Sequence, residues 1–279
     1  MKVPLAAVLA AGVLVAPVFI KINAQSFGAF GARPTAQFAQ TTFTDAEVDA
    51  LTATLDRLVA DGPASVPSWR DRASDALWQF ARRIQSGRVS PAQEARVLGS
   101  LDRIGRSRPD AAPLIVGPRR LVTNFSPGKV APEITGRDLD GRPFRLSEYR
   151  KKVVLLTFTA DWCAICRAQA PYERFLLDKY AGWPLAILAV ETGSSREAAK
   201  QAHARSPLSH RSWWDEPRAS ETDGLIASSW GVTGFPASYV IDGEGVIRFV
   251  NVREEALLIA VRQLLEAEAD RALKSQRSK

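Results

Sequence analysis

Apolar residues recur at helical spacing along the first half of the chain. Thr44 and Glu47 have the spacing of a capping box, and Gly62 and Gly87 follow the first two amphipathic stripes. The three stripes contain Val48, Leu51, Leu55, Leu58 and Val59; Trp69, Ala73, Leu77, Phe80 and Ile84; and Val97, Leu98, Leu101 and Ile104. We therefore predict a small all-helical module over residues 44–108, with Trp69, Trp78 and Phe80 in its core.

The pattern changes in the second half of the chain, where short apolar runs with strand character alternate with helical segments. Asp-Gly turns at 140–141 and 242–243 each lie between two such runs and predict two hairpins. Apolar runs that begin at Val153 and Leu185 are each followed by a helical pattern, and a last amphipathic helix is expected over 254–269. This order predicts an α/β domain, a mixed sheet flanked by helices, over residues 127–270.

A Trp-Cys-Ala-Ile-Cys motif follows the apolar run that begins at Val153. Its first cysteine, Cys163, is predicted at the N-terminus of a helix, where unpaired N–H groups and the helix dipole stabilise a thiolate. Cys166 lies one helical turn later, close enough to form a small disulfide. We expect the sulfur of Cys163 to be exposed and reactive, and that of Cys166 to be shielded.

The chain has two cysteines, so they cannot build a disulfide framework, and their spacing favours redox chemistry. An inert disulfide is one alternative, but so short a loop gives little stabilisation. A zinc site is another, with His203, His210 or carboxylates as the remaining ligands. Because these histidines are seven residues apart and accompany no second motif, we interpret them as surface or loop residues. We expect neither a metal nor a cofactor.

An uncharged apolar segment, Val3–Ile20, lies near the start of the sequence. It predicts a signal peptide or an N-terminal membrane anchor within residues 1–24. Residues 25–43, rich in Gly, Ala and Gln, are expected to be a flexible spacer. Either interpretation of the apolar segment places the cysteines outside the cytoplasm, in the periplasm or on the outer face of the cytoplasmic membrane. If the segment is an anchor, residues 3–20 would tether the protein to the membrane.

Two further segments are interpreted from composition. Proline and glycine are frequent in residues 109–126, which are predicted to be a linker. Residues 271–279 form a basic tail, and the formal net charge of the chain is +7. No nucleic-acid-binding motif accompanies these charges, so we interpret them as a solvated surface and expect no nucleic-acid partner.

The motif at 162–166, directly after a buried strand, resembles that of thioredoxin, and its surroundings resemble the exported TlpA/ResA-like thiol–disulfide oxidoreductases. The resemblance covers about residues 127–270. The other supporting segments are Ala-Pro-Glu-Ile (131–134), Leu-Asp-Gly-Arg-Pro-Phe (139–144), Gly-Phe-Pro-Ala-Ser-Tyr-Val-Ile-Asp (234–242) and Gly-Val-Ile-Arg (245–248). The resemblance implies a thioredoxin-like fold with an N-terminal hairpin, preceded here by the helical module.

The resemblance also implies roles for individual residues. Cys163 would be the nucleophile and Cys166 the resolving thiol, while Pro236 would form a cis peptide bond beside the disulfide. Phe235 and Pro236 would contact the substrate chain, and Trp162 would shield the cysteines and contribute to the binding surface. The implied partners are a protein disulfide substrate and a thiol–disulfide electron donor.

Two positions depart from the thioredoxin pattern. Thr157 occupies the place of a buried acid on the strand before the motif, so proton transfer to the resolving thiol would need another group or water. Ala164 and Ile165 lie between the cysteines without a proline or an acid, which leaves the redox potential and the direction of electron flow open.

The favoured function is an exported thiol–disulfide oxidoreductase that reduces disulfides of other proteins. A peroxidase is a second enzymatic alternative, although Thr159 is four residues before Cys163 and no distant resolving cysteine exists. The alternative from another class is a redox-inert binding or scaffold protein whose helical module docks a partner.

Overall fold

A computed structural model describes residues 42–60, 67–205, 210–218 and 224–277. The predicted signal peptide or anchor and the predicted spacer as far as residue 41 lie outside these ranges. Among the helices of the described ranges, none combines the length and the apolar character that crossing a bilayer requires.

Helices α1 (Asp45–Ala60), α2 (Pro67–Gln85) and α3 (Pro91–Ser107) form where the three stripes predict them. The capping box is present, because the Glu47 N–H donates to Thr44 Oγ1 (3.2 Å) and the Thr44 N–H donates to Glu47 Oε2 (2.8 Å). The stripes are buried or, at Leu51 and Leu98, half-buried, except at Leu58, which is 52% exposed. Phe43, assigned above to the spacer, is also buried, and its N–H donates to Arg88 O.

The prediction of a linker over residues 109–126 is wrong, because a fourth helix, α4 (Ala112–Phe125), occupies most of this segment. Its Pro113 lies in the first turn, where a missing N–H leaves no hydrogen bond unmade. Gly117 lies against the ring of Trp78, and a larger side chain at this position would clash with that ring. Pro113 and Gly117 therefore fit the helix, and Pro118 lies inside it, on the buried side with Ile115, Leu121, Val122 and Phe125.

Seven strands follow in the described residues. Strands β1 (Thr135–Arg137) and β2 (Pro143–Arg145) form the predicted N-terminal hairpin as a separate antiparallel pair. A mixed sheet has the order β5-β4-β3-β6-β7, in which β3, β4 and β5 are parallel, β6 runs antiparallel to β3, and β7 runs antiparallel to β6. The strands of this sheet are β3 (Val153–Ala160), β4 (Leu185–Thr192), β5 (Arg211–Trp214), β6 (Ala237–Ile241) and β7 (Ile247–Val250). The mixed α/β architecture confirms the predicted fold class, while the four-residue β5 was not predicted.

Helices pack on both faces of this sheet. Side chains of β3 alternate between the two faces, so that Val153 and Leu155 join one apolar cluster, while Leu156 and Phe158 join another. The first cluster contains residues of α5 (Ala164–Lys179) and α8 (Glu254–Arg277), and the second contains those of α1 to α4 and α7 (Leu225–Ser229). The remaining helix is α6 (Arg196–Arg205).

The basic tail is helical as far as the structure describes it, because α8 continues beyond the predicted end at residue 269 to Arg277. Arg271 forms ion pairs with Glu268 (2.8 Å) on the same helix and with Glu244 (3.0 Å) in the last hairpin. Arg and Lys have good helix propensity, so a polar, charged sequence here does not end the helix.

The helical module and the sheet share one apolar core. The Phe125 ring lies 5.3 Å from that of Trp230, which lies 5.0 Å from that of Tyr239 on β6. Gln85 Nε2 donates to the Phe125 carbonyl (3.0 Å) and to the Tyr239 hydroxyl (3.4 Å). The module therefore completes the core on one face of the sheet.

Replacing Phe125 with Ala should test this shared core. We expect the substitution to lower the free energy of unfolding by about 3–5 kcal/mol, because it opens a cavity among buried aromatic rings. Far-UV and near-UV circular dichroism during urea denaturation should still report one transition. Val116→Ala on the same helix is the matched control; Val116 is 66% exposed, so its change should stay within about 0.5 kcal/mol. Equal effects of the two substitutions would contradict a shared core.

Candidate active site

The two cysteines lie at the junction between the central strand and a helix. Strand β3 ends at Ala160, and Cys163 is the N-cap residue of α5 with extended backbone angles (φ −75°, ψ 98°). Its Sγ accepts a hydrogen bond from the Cys166 N–H (3.1 Å), and the two cysteines form a disulfide with a Cα–Cα distance of 5.3 Å. The predicted location of the pair at a helix N-terminus is therefore confirmed.

The expected difference in exposure is wrong for the disulfide form. Cys163 is only 4% exposed, whereas Cys166 is half-buried and lines a cavity. As the N-cap, Cys163 turns its sulfur toward the first turn of α5, where it accepts the hydrogen bond from the Cys166 N–H. Exposure thus gives no preference for Cys163 as the attacking sulfur, and its assignment depends on the helix N-terminus.

The structure brings the other predicted site residues to this junction. The Phe235–Pro236 peptide bond is cis, and Pro236 lines the same cavity as Cys166. The Phe235 ring lies 6.0 Å from the ring of Trp162, which is 44% exposed. Trp162 and Phe235 thus form an aromatic pair beside the disulfide.

Asp161 ties the turn before the motif to the end of the neighbouring strand. Its Oδ1 accepts hydrogen bonds from the N–H groups of Trp162 (3.0 Å) and Ser194 (3.3 Å). Its carbonyl accepts one from Arg167 Nη1 (3.0 Å). Gly193, with φ +139°, passes so close to the Asp161 carboxylate that a Cβ would clash with it. These contacts fix the entrance to α5 relative to β4.

Two buried carboxyl groups, Glu173 of α5 and Glu191 of β4, line a cavity of about 400 Å³ together with Cys166. Burial raises the pKa of Glu173 to about 7. Burial also raises the pKa of Glu191 to about 7, with a further contribution from the negative charges of Asp161 and Glu173. Both groups therefore exchange protons close to neutral pH.

These two carboxyl groups are buried acids near Cys166, whereas β3 has Thr157 in the place of a buried acid. Thr157 is buried there, and its hydroxyl donates to the Leu188 carbonyl (3.4 Å). The acids come from neighbouring elements: Glu173 follows Cys166 by seven residues, about two helical turns, and Glu191 pairs in register with Thr159. The seven-residue spacing between Cys166 and Glu173 is a signal in the sequence for this placement on one side of the helix.

The interpretation of the two histidines as surface or loop residues is wrong for His203, which lies on a helix, whereas His210 does lie in the loop before β5. His203 of α6 and His210, next to β5, are half-buried, line the same cavity and have their Nε2 atoms 3.2 Å apart. Burial lowers the pKa of His203. Burial, followed by the neighbouring His203, lowers the pKa of His210 to about 3. The fold brings together two residues whose sequence spacing carries no recognisable motif.

Comparisons with known proteins agree on the class of this domain. Residues 127–250 match the AhpC/TSA family. The chain is 29% identical over 126 residues to thiol-disulfide oxidoreductase ResA of Geobacillus thermodenitrificans, a match that covers 45% of this chain and 69% of the relative. It is 31% identical over 125 residues to thioredoxin-like protein YneN of Bacillus subtilis, covering 45% and 71%.

Among solved structures, the thioredoxin domain of a thiol-disulfide oxidoreductase from Bacteroides vulgatus is similar with a TM-score of 0.46 and 26% identity. That match covers 51% of this chain and 99% of the other.

A mixed sheet whose central strand leads into Trp-Cys-x-x-Cys at a helix N-terminus defines a thioredoxin-like redox domain. The chain belongs to the thioredoxin-like thiol–disulfide oxidoreductases, and the match to the AhpC/TSA family is limited to residues 127–250. The matched residues lie in the C-terminal half of the chain.

The buried carboxyl of Glu173 should make the stability of the fold pH-dependent. Its pKa is higher in the folded state (about 7) than the ordinary value of 4.5, so the folded state binds this proton more tightly. Its contribution is complete below pH 4.5 and is lost as pH rises to about 7. At 1.36 kcal/mol per pKa unit, the loss is at most about 3 kcal/mol.

Urea denaturation of Glu173→Gln at a series of pH values should detect this contribution. Between pH 4.5 and 7 the free energy of unfolding should fall less in the variant than in the unsubstituted chain. The pH dependence that remains would come from other groups, such as Glu191. Glu197→Gln, which removes an exposed carboxyl of α6, should keep the original pH dependence. The same pH dependence in Glu173→Gln would show that this carboxyl is not held neutral by the fold.

Proposed function

We propose that the protein is an exported reductase that transfers electrons from the Cys163–Cys166 dithiol to disulfides of other proteins. The observation that carries the proposal is the cysteine pair at the N-terminus of α5, beside the cis peptide bond of Pro236. Partial positive charge at a helix N-terminus stabilises a thiolate, which is the attacking form in disulfide exchange. The relatives named thiol-disulfide oxidoreductase ResA support this chemistry.

The reaction consists of two exchanges. The Cys163 thiolate attacks one sulfur of the substrate disulfide, which forms a mixed disulfide and releases the other substrate sulfur as a thiolate. The Cys166 thiolate then attacks Cys163, forming the intramolecular disulfide and releasing the second substrate sulfur. Two electrons pass to the substrate, whose thiolates take up two protons. A separate dithiol protein, the electron donor, restores the reduced pair by the reverse exchange.

The surface beside the cysteines suits an extended, partly apolar chain. Trp162 is 44% exposed and Ile165 is 60% exposed, and Phe235 lies against Trp162. Exposed apolar side chains grouped around a reactive site favour contact with a partner protein. Pro236 lacks an N–H, and we assign the backbone of Phe235 to contact with the substrate chain.

Proton transfer to and from Cys166 is assigned to the buried carboxyl group of Glu173. Glu173 and Glu191 line the cavity that Cys166 also lines, and the pKa of each is raised to about 7. A base with a pKa near the working pH is best suited to take up a thiol proton. Glu173 lies two helical turns from Cys166, so we assign water within the cavity as the bridge between them.

Export of the protein is proposed from the uncharged segment Val3–Ile20. Disulfide substrates occur outside the cytoplasm, where thiols are not kept reduced. A tethered or secreted position would bring the dithiol to these substrates.

Replacing Cys166 with Ser should trap the substrate. Cys163 would still attack a partner disulfide, but the serine hydroxyl could not resolve the mixed disulfide. Non-reducing gels of cells that produce Cys166→Ser should therefore contain reducible adducts, at least about ten times more than with Cys163→Ser. The adducts should fractionate outside the cytoplasm, and mass spectrometry should identify the substrate.

The two cysteine variants control for each other, because each retains one thiol of the same motif. Adducts that form with Cys163→Ser alone would reverse the assigned roles, and adducts in the cytoplasm would remove the export proposal. If neither variant forms adducts and the reduced protein does not reduce insulin disulfides, the reductase proposal fails in favour of a scaffold.

A further inference from the structure

Three potential metal ligands from three separate segments converge on one wall of the cavity. His203 lies on α6, His210 directly precedes β5, and Glu191 is near the end of β4. Their ligand atoms all lie within 4.8 Å of one another. His203 Nε2 is 3.2 Å from His210 Nε2 and 3.9 Å from Glu191 Oε1.

Hydrogen bonds among these side chains cannot pair His203 Nε2 with all of its polar neighbours at once. His203 Nε2 faces His210 Nε2 at 3.2 Å, Glu191 Oε1 at 3.9 Å and Ser212 Oγ at 3.0 Å. A neutral imidazole nitrogen carries either one proton or one lone pair, so it can make one of these contacts at a time. Among the residues that the structure describes, none hydrogen-bonds to the buried His210 Nδ1. His203 Nε2 therefore faces more polar atoms than it can hydrogen-bond with at one time.

The same positions match those of ligands around a tetrahedral ion. Zinc binds imidazole nitrogen at about 2.0–2.1 Å, which separates two ligand nitrogens at the tetrahedral angle by about 3.3 Å. The observed Nε2–Nε2 distance is 3.2 Å. A small side-chain rotation would bring the Glu191 carboxylate, now 3.9 Å from His203 Nε2, to a similar separation. The three groups thus fit one ion with little rearrangement.

We propose that His203, His210 and Glu191 bind one divalent transition-metal ion of the zinc type. Two imidazoles and one carboxylate are a ligand set that zinc uses when its fourth position stays open. All three residues line the cavity that Cys166 also lines, so the open position would face that cavity.

Zinc titration of the purified full chain should test the site, with the Cys163–Cys166 disulfide intact so that no thiol can bind the metal. Isothermal calorimetry should detect one Zn²⁺ per chain. His203→Gln and His210→Gln should each weaken binding at least about 100-fold, and Glu191→Gln at least about 10-fold; loss of an outer-shell partner alone costs 10–100-fold. Glu197→Gln is the matched control, because it removes an exposed carboxyl of α6, and should bind as the unsubstituted chain does.

A spectroscopic measurement keeps the proposal testable even if a variant fails to fold. The chain has only two histidines, so imidazole scattering in the X-ray absorption spectrum of the zinc-loaded, unsubstituted protein can come only from His203 and His210. We expect two imidazoles per ion. Three results would overturn the proposal. These are no zinc binding, a zinc spectrum with oxygen ligands alone, or an unchanged zinc affinity in folded His203→Gln or in folded His210→Gln. Unchanged affinity in Glu191→Gln would overturn the three-ligand site. None of these results depends on thiol exchange, so the outcome is separate from that of the proposed reductase function.

Discussion

The site depends on the central position of β3 in the sheet. This strand pairs with β4 on one side and β6 on the other, and both of its faces are buried. The chain therefore leaves the sheet at a fixed point, which becomes the N-terminus of α5 with Cys163 as its cap. Because β4 is parallel and β6 antiparallel to β3, the end of β4 and the start of β6 lie at the same edge. Glu191 and Pro236 line the same cavity as Cys166 for this reason, although both are far from it in the sequence.

The helical module contributes to this arrangement through the core. Phe125 and Gln85 contact the aromatic residues Trp230 and Tyr239 beneath the sheet. Arg82 Nη1 also donates to Thr233 Oγ1 (2.9 Å), two residues before Phe235. The module therefore supports both the sheet and the loop that carries the cis peptide bond, which connects its packing to the site.

Features that depend on local sequence were predictable. The buried run from Val153 and the motif after it define β3 and the start of α5, and the turns Asp140-Gly141 and Asp-Gly-Glu-Gly (242–245) define the hairpins, with positive φ at Gly141 and Gly245. Features that depend on tertiary packing were not. Pro113 and Gly117 indicate a linker by composition, but they fit a helix because its first turn needs no N–H and Trp78 fills the space beside Gly117. His203 and His210 meet only because α6 and β5 flank the same cavity, and Glu173 acquires its raised pKa only through burial.

Alkylation of the reduced protein tests the central claim most directly, namely that the helix N-terminus makes Cys163 the attacking thiolate. The reduced chain would be treated with iodoacetamide at mildly acidic pH, where ordinary thiols react slowly, and the label mapped by mass spectrometry. The account predicts that Cys163 is labelled at least about ten times faster than Cys166. Faster labelling of Cys166, the more exposed residue in the disulfide form, or equal rates at both cysteines would contradict it.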